Sequence, residues 1–251
     1  MTGSSFCKAH CVFGKRKGML VPMSPQIKNA ISARVLPLLE EMIARRPVGV
    51  SPQKLDRGQA TKRRILDAAF LLFSHGKIED FTMRNLARAL EIRVGNLTYH
   101  FRTKADLLEA VVLDQVANYA ENTLSLLQAN HSGQESALEA AITFLVSDLR
   151  HEQITFFPQL WALALHDSMA AKLMDKIYLL EREVISQMIQ AERQDWRQDE
   201  CDALALHIVA AIEGLTLFIG RDRNNHGVFK APEDMIIRLI RLILNDPVAG
   251  P

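Results

Sequence analysis

The apolar residues of this 251-residue chain recur three and four positions apart from near one end to the other, and they never alternate convincingly over the length of a strand. That period lays one face of a helix on a core, whereas a half-buried strand needs a period of two. No Asn-Gly or Asp-Gly hairpin signal interrupts it. The chain is therefore expected to be all-α. Ile27, Ile31, Val35, Leu39 and Met42 line one face of a helix near 26–45, which Pro37 should kink or break. Ile65, Ala69, Leu72 and Phe73 share a face of a helix over 59–74 that His75-Gly76 ends. Thr82 is placed to cap 83–90, Leu97 and Phe101 form an i, i+4 pair on a short helix, and Thr103 can cap a long helix over 104–128. Further helices are expected near 134–150, 157–166, 169–193, 199–221 and 233–244, with a linker-like stretch at 46–58 and a loop at 224–227.

Charge divides this helical chain into three parts. The formal net charge is only +1, yet residues 1–53 carry 8 Lys and Arg against 2 Asp and Glu, and residues 54–104 carry 11 against 5. Residues 105–251 carry 11 against 22. A basic segment suits a polyanion and an acidic one suits solvent, so the near-neutral total does not exclude a nucleic-acid partner.

Several function classes find no support. Three scattered cysteines, Cys7, Cys11 and Cys201, argue for a reducing compartment and a cytoplasmic protein. The first 20 residues lack the apolar run of a secretory signal. The most apolar window, 203–220, contains His207 and Glu213, which fits a buried helix better than a membrane span. These two polar groups read as buried or interfacial. Cys7, His10 and Cys11 have no second ligand pair at metal spacing, so neither a metal nor a cofactor is expected. There is no H-E-x-x-H, G-x-S-x-G or Walker A sequence, and an enzyme is not expected.

The informative stretch is 61–111. One helix precedes two short ones joined through Glu91-Ile92-Arg93, the connection length of a helix-turn-helix. Met83, Leu86, Ala87 and Leu90 would face inward on the first short helix, and Leu97 and Phe101 on the second. Arg93, Asn96, Thr98, Tyr99 and His100 remain to reach base edges or phosphates. TKRRILDAAFLLFSHGKIEDFTMRNLARALEIRVGNLTYHFRTKADLLEAV resembles the DNA-binding region of the tetracycline-repressor (TetR) family of transcriptional regulators. The shared order is ILDAA-x-x-LF, then T-x-R-x-LA-x-x-L, then G-N-L-x-Y-H-F followed by K-x-x-LL.

The resemblance implies a three-helix DNA-binding domain over 54–104, followed by a larger effector-binding and dimerisation domain over 105–251. It places Thr82 and Arg84 at the DNA backbone or a base. It places Arg93, Val94, Asn96 and Thr98 on or at the entry of the recognition helix, and Tyr99, His100 and Lys104 at phosphates. Three positions depart from the family pattern. Glu91 stands where a turn glycine is usual and would cost about 1 kcal/mol if the turn needs a positive φ. Arg93 replaces a serine or threonine, and Thr98 stands where many members carry an aromatic residue.

Phe144, Phe157, Trp161, His166, Met174 and Tyr178 are candidates to line an effector pocket, although apolar residues at this spacing also read as plain core. The apolar helices near 199–221 and 233–244 are candidates for a four-helix interface between two copies. The expected activity is that of a homodimer that binds double-stranded operator DNA and represses until a small-molecule effector releases it. The alternatives are a ligand-independent helical DNA-binding protein, such as a nucleoid or division-site factor, and a helical enzyme. Residues 1–53 read as a flexible basic extension with a helix inside it, or as an upstream extension of the reading frame with Met19, Met23 and Met42 as alternative starts.

Overall fold

The computed structural model describes residues 25–49, 56–76, 78–128, 136–148, 156–219 and 231–245. Cys7, His10, Cys11, Met19, Met23, the loop at 224–227, most of the linker between 49 and 56, and the side chains of Ile27 and Ile31 lie outside the described residues. The described residues form α-helices and their connections, with no strand among them. The helices are α1 (Pro25–Ala44), α2 (Arg57–His75), α3 (Met83–Ala89), α4 (Val94–His100), α5 (Lys104–Gln128), α6 (Ala137–Asp148), α7 (Phe156–Ala164), α8 (Ser168–Glu192), α9 (Gln198–Ile219) and α10 (Pro232–Asn245).

Local chemistry sets the ends of the first domain's helices. Asp56 caps α2 by accepting from the Gln59 N–H at 2.8 Å. At its other end the Gly76 N–H donates to the Leu72 carbonyl at 3.0 Å. A Cβ on Gly76 would stand 2.5 Å from that oxygen, so the close approach requires glycine. Thr82 accepts from the Asn85 N–H and caps α3. Thr103 and Asp106 exchange bonds at the start of α5, the Asp106 N–H donating to Thr103 Oγ1 at 3.0 Å and the Thr103 N–H to Asp106 Oδ2 at 3.1 Å.

The turn from α3 to α4 is a Schellman motif. The Glu91 N–H donates to Arg88 O at 3.1 Å, and the Ile92 N–H to Ala87 O at 3.0 Å. That pattern puts Glu91 at φ 56°, the one non-glycine residue with positive φ among the described residues. Ile92 packs against the core beyond it. Leu86, Leu97, Phe101, Ile65, Phe73 and Phe81 close the small core, with the Phe73 and Phe81 rings edge to face at 5.1 Å.

α5 leaves this domain and runs for 25 residues, about 37 Å at 1.5 Å per residue, through the larger one. α8 and α9 pack on each other, α7 lies on α8 and against α2, and α10 lies on α6. Gln159 Nε2 on α7 donates to Gly76 O at 3.1 Å, which ties the two domains at the end of α2.

α1 departs from the sequence expectation in two ways. It is continuous through Pro37, so the break that the proline offered does not occur. It is also no peripheral arm, because it packs on α5 and α8 with Val35 and Leu39 fully buried. Just beyond it, Arg46 donates to Asn118 Oδ1 at 2.9 Å and pairs with Glu121 at 3.0 Å. Arg46 also comes within 3.9 Å of Asp114. Asp114 is buried and takes a two-pronged bond from Arg63 of α2, 2.6 Å on each arm. Asp114 is therefore the point where α1, α2 and α5 meet. Part of the basic count of residues 1–53 is spent inside the protein.

Candidate nucleic-acid interface and effector cavity

The short helices leave their polar side chains outside. Thr82, Arg84, Arg93, Asn96 and Lys104 are exposed, and Val94 is 42% and Tyr99 83% exposed. An aromatic ring that far out of a folded core is available to a partner. Thr98 and His100 are half-buried, Thr98 turning its hydroxyl to Gly95 O at 3.2 Å and His100 meeting the Tyr99 ring edge-on at 5.1 Å. Lys104 Nζ lies 5.5 Å from the centre of the Phe81 ring, beside the residue that caps α3. Lys62 holds the same relation to Phe101 at the end of α4. The first turn of α5 and the start of α3 are thereby adjacent, and the exposed carboxylate of Glu91 sits between the two short helices.

Residues 65–111 match the model of the bacterial regulatory proteins of the tetR family. Over this segment the chain is similar to the DNA-binding region of the TetR family of helix-turn-helix transcriptional regulators. It is 23% identical over 167 residues to the regulator BetI of Escherichia coli K12, spanning 65% of this chain and 84% of that one. Among solved structures it is similar in fold to Salmonella enterica GusR, with a TM-score of 0.63, 16% identity, and coverage of 77% of this chain and all of that one. It is similar also to a transcriptional regulator from Saccharomonospora viridis in complex with choline, with a TM-score of 0.55, 18% identity, and coverage of 74% and 96%. The matched segment contains α3, the turn at Glu91 and α4.

The second feature is a cavity of about 100 Å³ in the larger domain. Leu39 and Met42 of α1 form one wall. Val116, Tyr119, Ala120 and Thr123 of α5, Ala141 and Leu145 of α6, and Phe157 of α7 form others. α8 contributes Ile177, Glu181, Val184, Ile185 and Met188, and α9 contributes Ile212, Glu213 and Thr216. Of the six pocket residues expected from sequence, only Phe157 lines this cavity. Trp161 and Tyr178 stand behind the lining, where the indole N–H donates to the Tyr178 hydroxyl at 2.6 Å and Tyr178 donates to Glu213. Met174 packs on the core, Phe144 is half-buried off the lining, and His166 is exposed after the end of α7. The sequence pattern found the aromatic support and missed the carboxyl groups.

Those carboxyl groups set the electrostatics. Burial raises the pKa of Glu181, and repulsion from Glu213 adds to it. Burial raises Glu213 as well, opposed by the bond from Tyr178. The Tyr178 phenol is raised by burial and then by Glu213. His207, on the same helix as Glu213, is exposed and bonds to Ala203 O at 2.7 Å in its own helix. Among the described residues, no three His, Cys, Asp or Glu side chains converge as a metal-ligand set.

α9 is long and apolar enough to cross a membrane by length and composition. One face, with Cys201, Leu204, Ala205, Ile208 and Ile212, is buried in the protein. The other carries Leu206, Leu217 and Phe218 at 47%, 59% and 58% exposure, and α10 adds Met235, Leu239 and Leu242 at 59%, 53% and 69%.

Proposed function

We propose that the protein is a cytoplasmic homodimeric repressor whose hold on operator DNA is released by a small-molecule effector in the cavity. Thr82, Arg84, Arg93, Val94, Asn96, Thr98, Tyr99, His100 and Lys104 form the DNA-reading surface. Residues 54–104 are the reading domain, and residues 105–251 with α1 are the effector and dimer domain.

The observation that carries the reading is the course of α5. Its first residue, Lys104, lies beside the α3 cap, and Val116 to Thr123 on the same helix line the cavity. A ligand that favours a displaced α5 would move the reading helices, so ligand and DNA would oppose each other with a coupling of about 1–3 kcal/mol. The choline held by the Saccharomonospora viridis relative supports a small-molecule site in proteins of this fold. The exposed apolar faces of α9 and α10 support pairing of two copies in a four-helix interface. Two copies would then read half-sites about 34–36 Å apart.

Sequencing of the DNA fragments retained by purified protein tests the reading directly. The expected result is a two-fold symmetric site, with binding that weakens steeply with salt. Fragments without a shared sequence would overturn sequence-specific regulation, and a monomer by light scattering at micromolar concentration would overturn the dimer.

A further inference from the structure

We infer that the cavity takes a small organic cation, an alkylated amine or a quaternary ammonium, with its charge against Glu181 and Glu213 and its alkyl groups against an aromatic corner. The inference rests on the effector reading of this cavity and adds the chemical class of the ligand.

Four observations converge on that class. First, the cavity holds two carboxyl groups, on α8 and α9, and no Lys, Arg or His forms an ion pair with either among the described residues. Two other buried carboxylates of the larger domain are paired, Asp114 with Arg63 and Glu139 with Arg241. Two acids facing one space with no internal cation leave the compensating charge to a ligand. Second, the rings of Tyr119 and Phe157, both in the lining, meet at 5.7 Å with their planes 51° apart. Ring faces attract an alkylated cation and offer little to an anion. Third, Tyr178 already donates to Glu213, held there by Trp161, which favours the carboxylate form once a cation arrives. Fourth, the Thr216 hydroxyl lines the cavity, is 6% exposed, and makes no hydrogen bond. It is free to bond a polar substituent on the ligand.

Size narrows the class. At about 100 Å³ the space is smaller than the roughly 150 Å³ cavity that accepts benzene. A space of that size excludes a drug-sized molecule. The lining also includes Leu39 and Met42, from a helix upstream of the family-matched segment 65–111. Those two side chains set how long an alkyl substituent can be.

Calorimetry on the full chain at pH 7 tests this with four probes: choline, tetramethylammonium, the uncharged carbon isostere of choline, and pivalate. Choline should bind at least about tenfold more tightly than its isostere, a difference of about 1.4 kcal/mol. Pivalate should not bind. Binding of the cations should release protons, seen as a heat that varies with the ionisation enthalpy of the buffer. E181Q and E213Q should each weaken choline about tenfold, while circular dichroism and DNA affinity stay those of the parent. L39W should shrink the cavity and exclude choline before tetramethylammonium. Equal binding of choline and its isostere, unchanged in the E181Q/E213Q double variant, would overturn the cation class and leave the effector reading standing. No binding of any probe, the neutral one included, would overturn both.

Discussion

The reading head and the sensing body solve opposite problems with polar groups. In α2 to α4 the core is apolar and the chemistry is outside, with Arg84, Arg93, Asn96 and Tyr99 standing in solvent. In the body α9 and α10 carry exposed apolar residues outside, Leu206, Leu217, Phe218, Met235, Leu239 and Leu242, while Glu181, Glu213 and Thr216 line the cavity. The head keeps its charges hydrated until a polyanion removes the water. The body keeps the two cavity acids, Glu181 and Glu213, poorly hydrated, with no ion pair to either among the described residues. Specificity on the head is therefore a matter of surface display, and in the body a matter of uncompensated burial.

The largest test falls on the joint between the two. D114A leaves the Arg63 guanidinium buried without its main partner and should cost about 3–5 kcal/mol of stability. Urea denaturation would show it as a lower midpoint, and an unshifted midpoint would mean that the two regions are joined elsewhere. Next in size, R84A/H100A/K104A should lower operator affinity by roughly 100-fold or more with little change in melting temperature, since charge-assisted bonds are worth about 1.5–3 kcal/mol each. A polarisation titration checks it, and unaltered affinity would remove these residues from the interface.

The third test concerns the body alone. The acid pKa values there lie above their ordinary value of 4.5, so the folded state binds more protons than the unfolded one above that pH. Stability contributed by this region should therefore fall as pH rises from about 5 toward 8. The faces to be accounted for are Glu181 and Tyr178 on α8 and Glu213 on α9. E181Q should flatten the pH profile and raise the melting temperature at pH 8 by a few degrees, at about 2–4 °C per kcal/mol for a chain of this size. A profile parallel to the parent's would mean that Glu181 is already hydrated. The smallest effect belongs to the head. E91G relieves a residue at φ 56° and should stabilise by about 1 kcal/mol, read as a small rise in melting temperature.

The head was legible because its signals are local. Caps at Thr82 and Thr103, the i, i+4 pair Leu97 and Phe101, and the positive-φ position at Glu91 are each decided within a few residues. The helical body was also legible as helices, since periodicity survives without knowing the partner. What could not be read was which faces meet. Val35, Leu39 and Met42 announced a buried stripe, but their partners lie on α5 and α8, far along the chain. The excess of Lys and Arg in residues 1–53 pointed outward, whereas Arg46 turns toward Asn118 and Glu121. Glu213 stood out as a carboxyl in an apolar helix, yet its significance depends on Glu181, a residue of another helix that no local pattern singled out. Trp161 and Tyr178 were visible as large apolar groups with polar tips, and those tips turned out to bond to each other.

The wall formed by α1 has a kinetic consequence. Leu39 and Met42 close the cavity on one side, and Val35 holds the same helix down one turn earlier. If α1 has to lift for a ligand to pass, the traffic of ligand is timed by the parting of α1 from α5 and α8, not by diffusion. V35A, which thins that contact without touching the cavity lining, should then speed ligand entry and exit together and leave the equilibrium affinity nearly unchanged. Stopped-flow mixing would reveal it, and an unchanged exit rate would mean that ligands come and go by another door. The helix upstream of the family segment would then act as the clock of the response, while the acids beneath it choose what is timed.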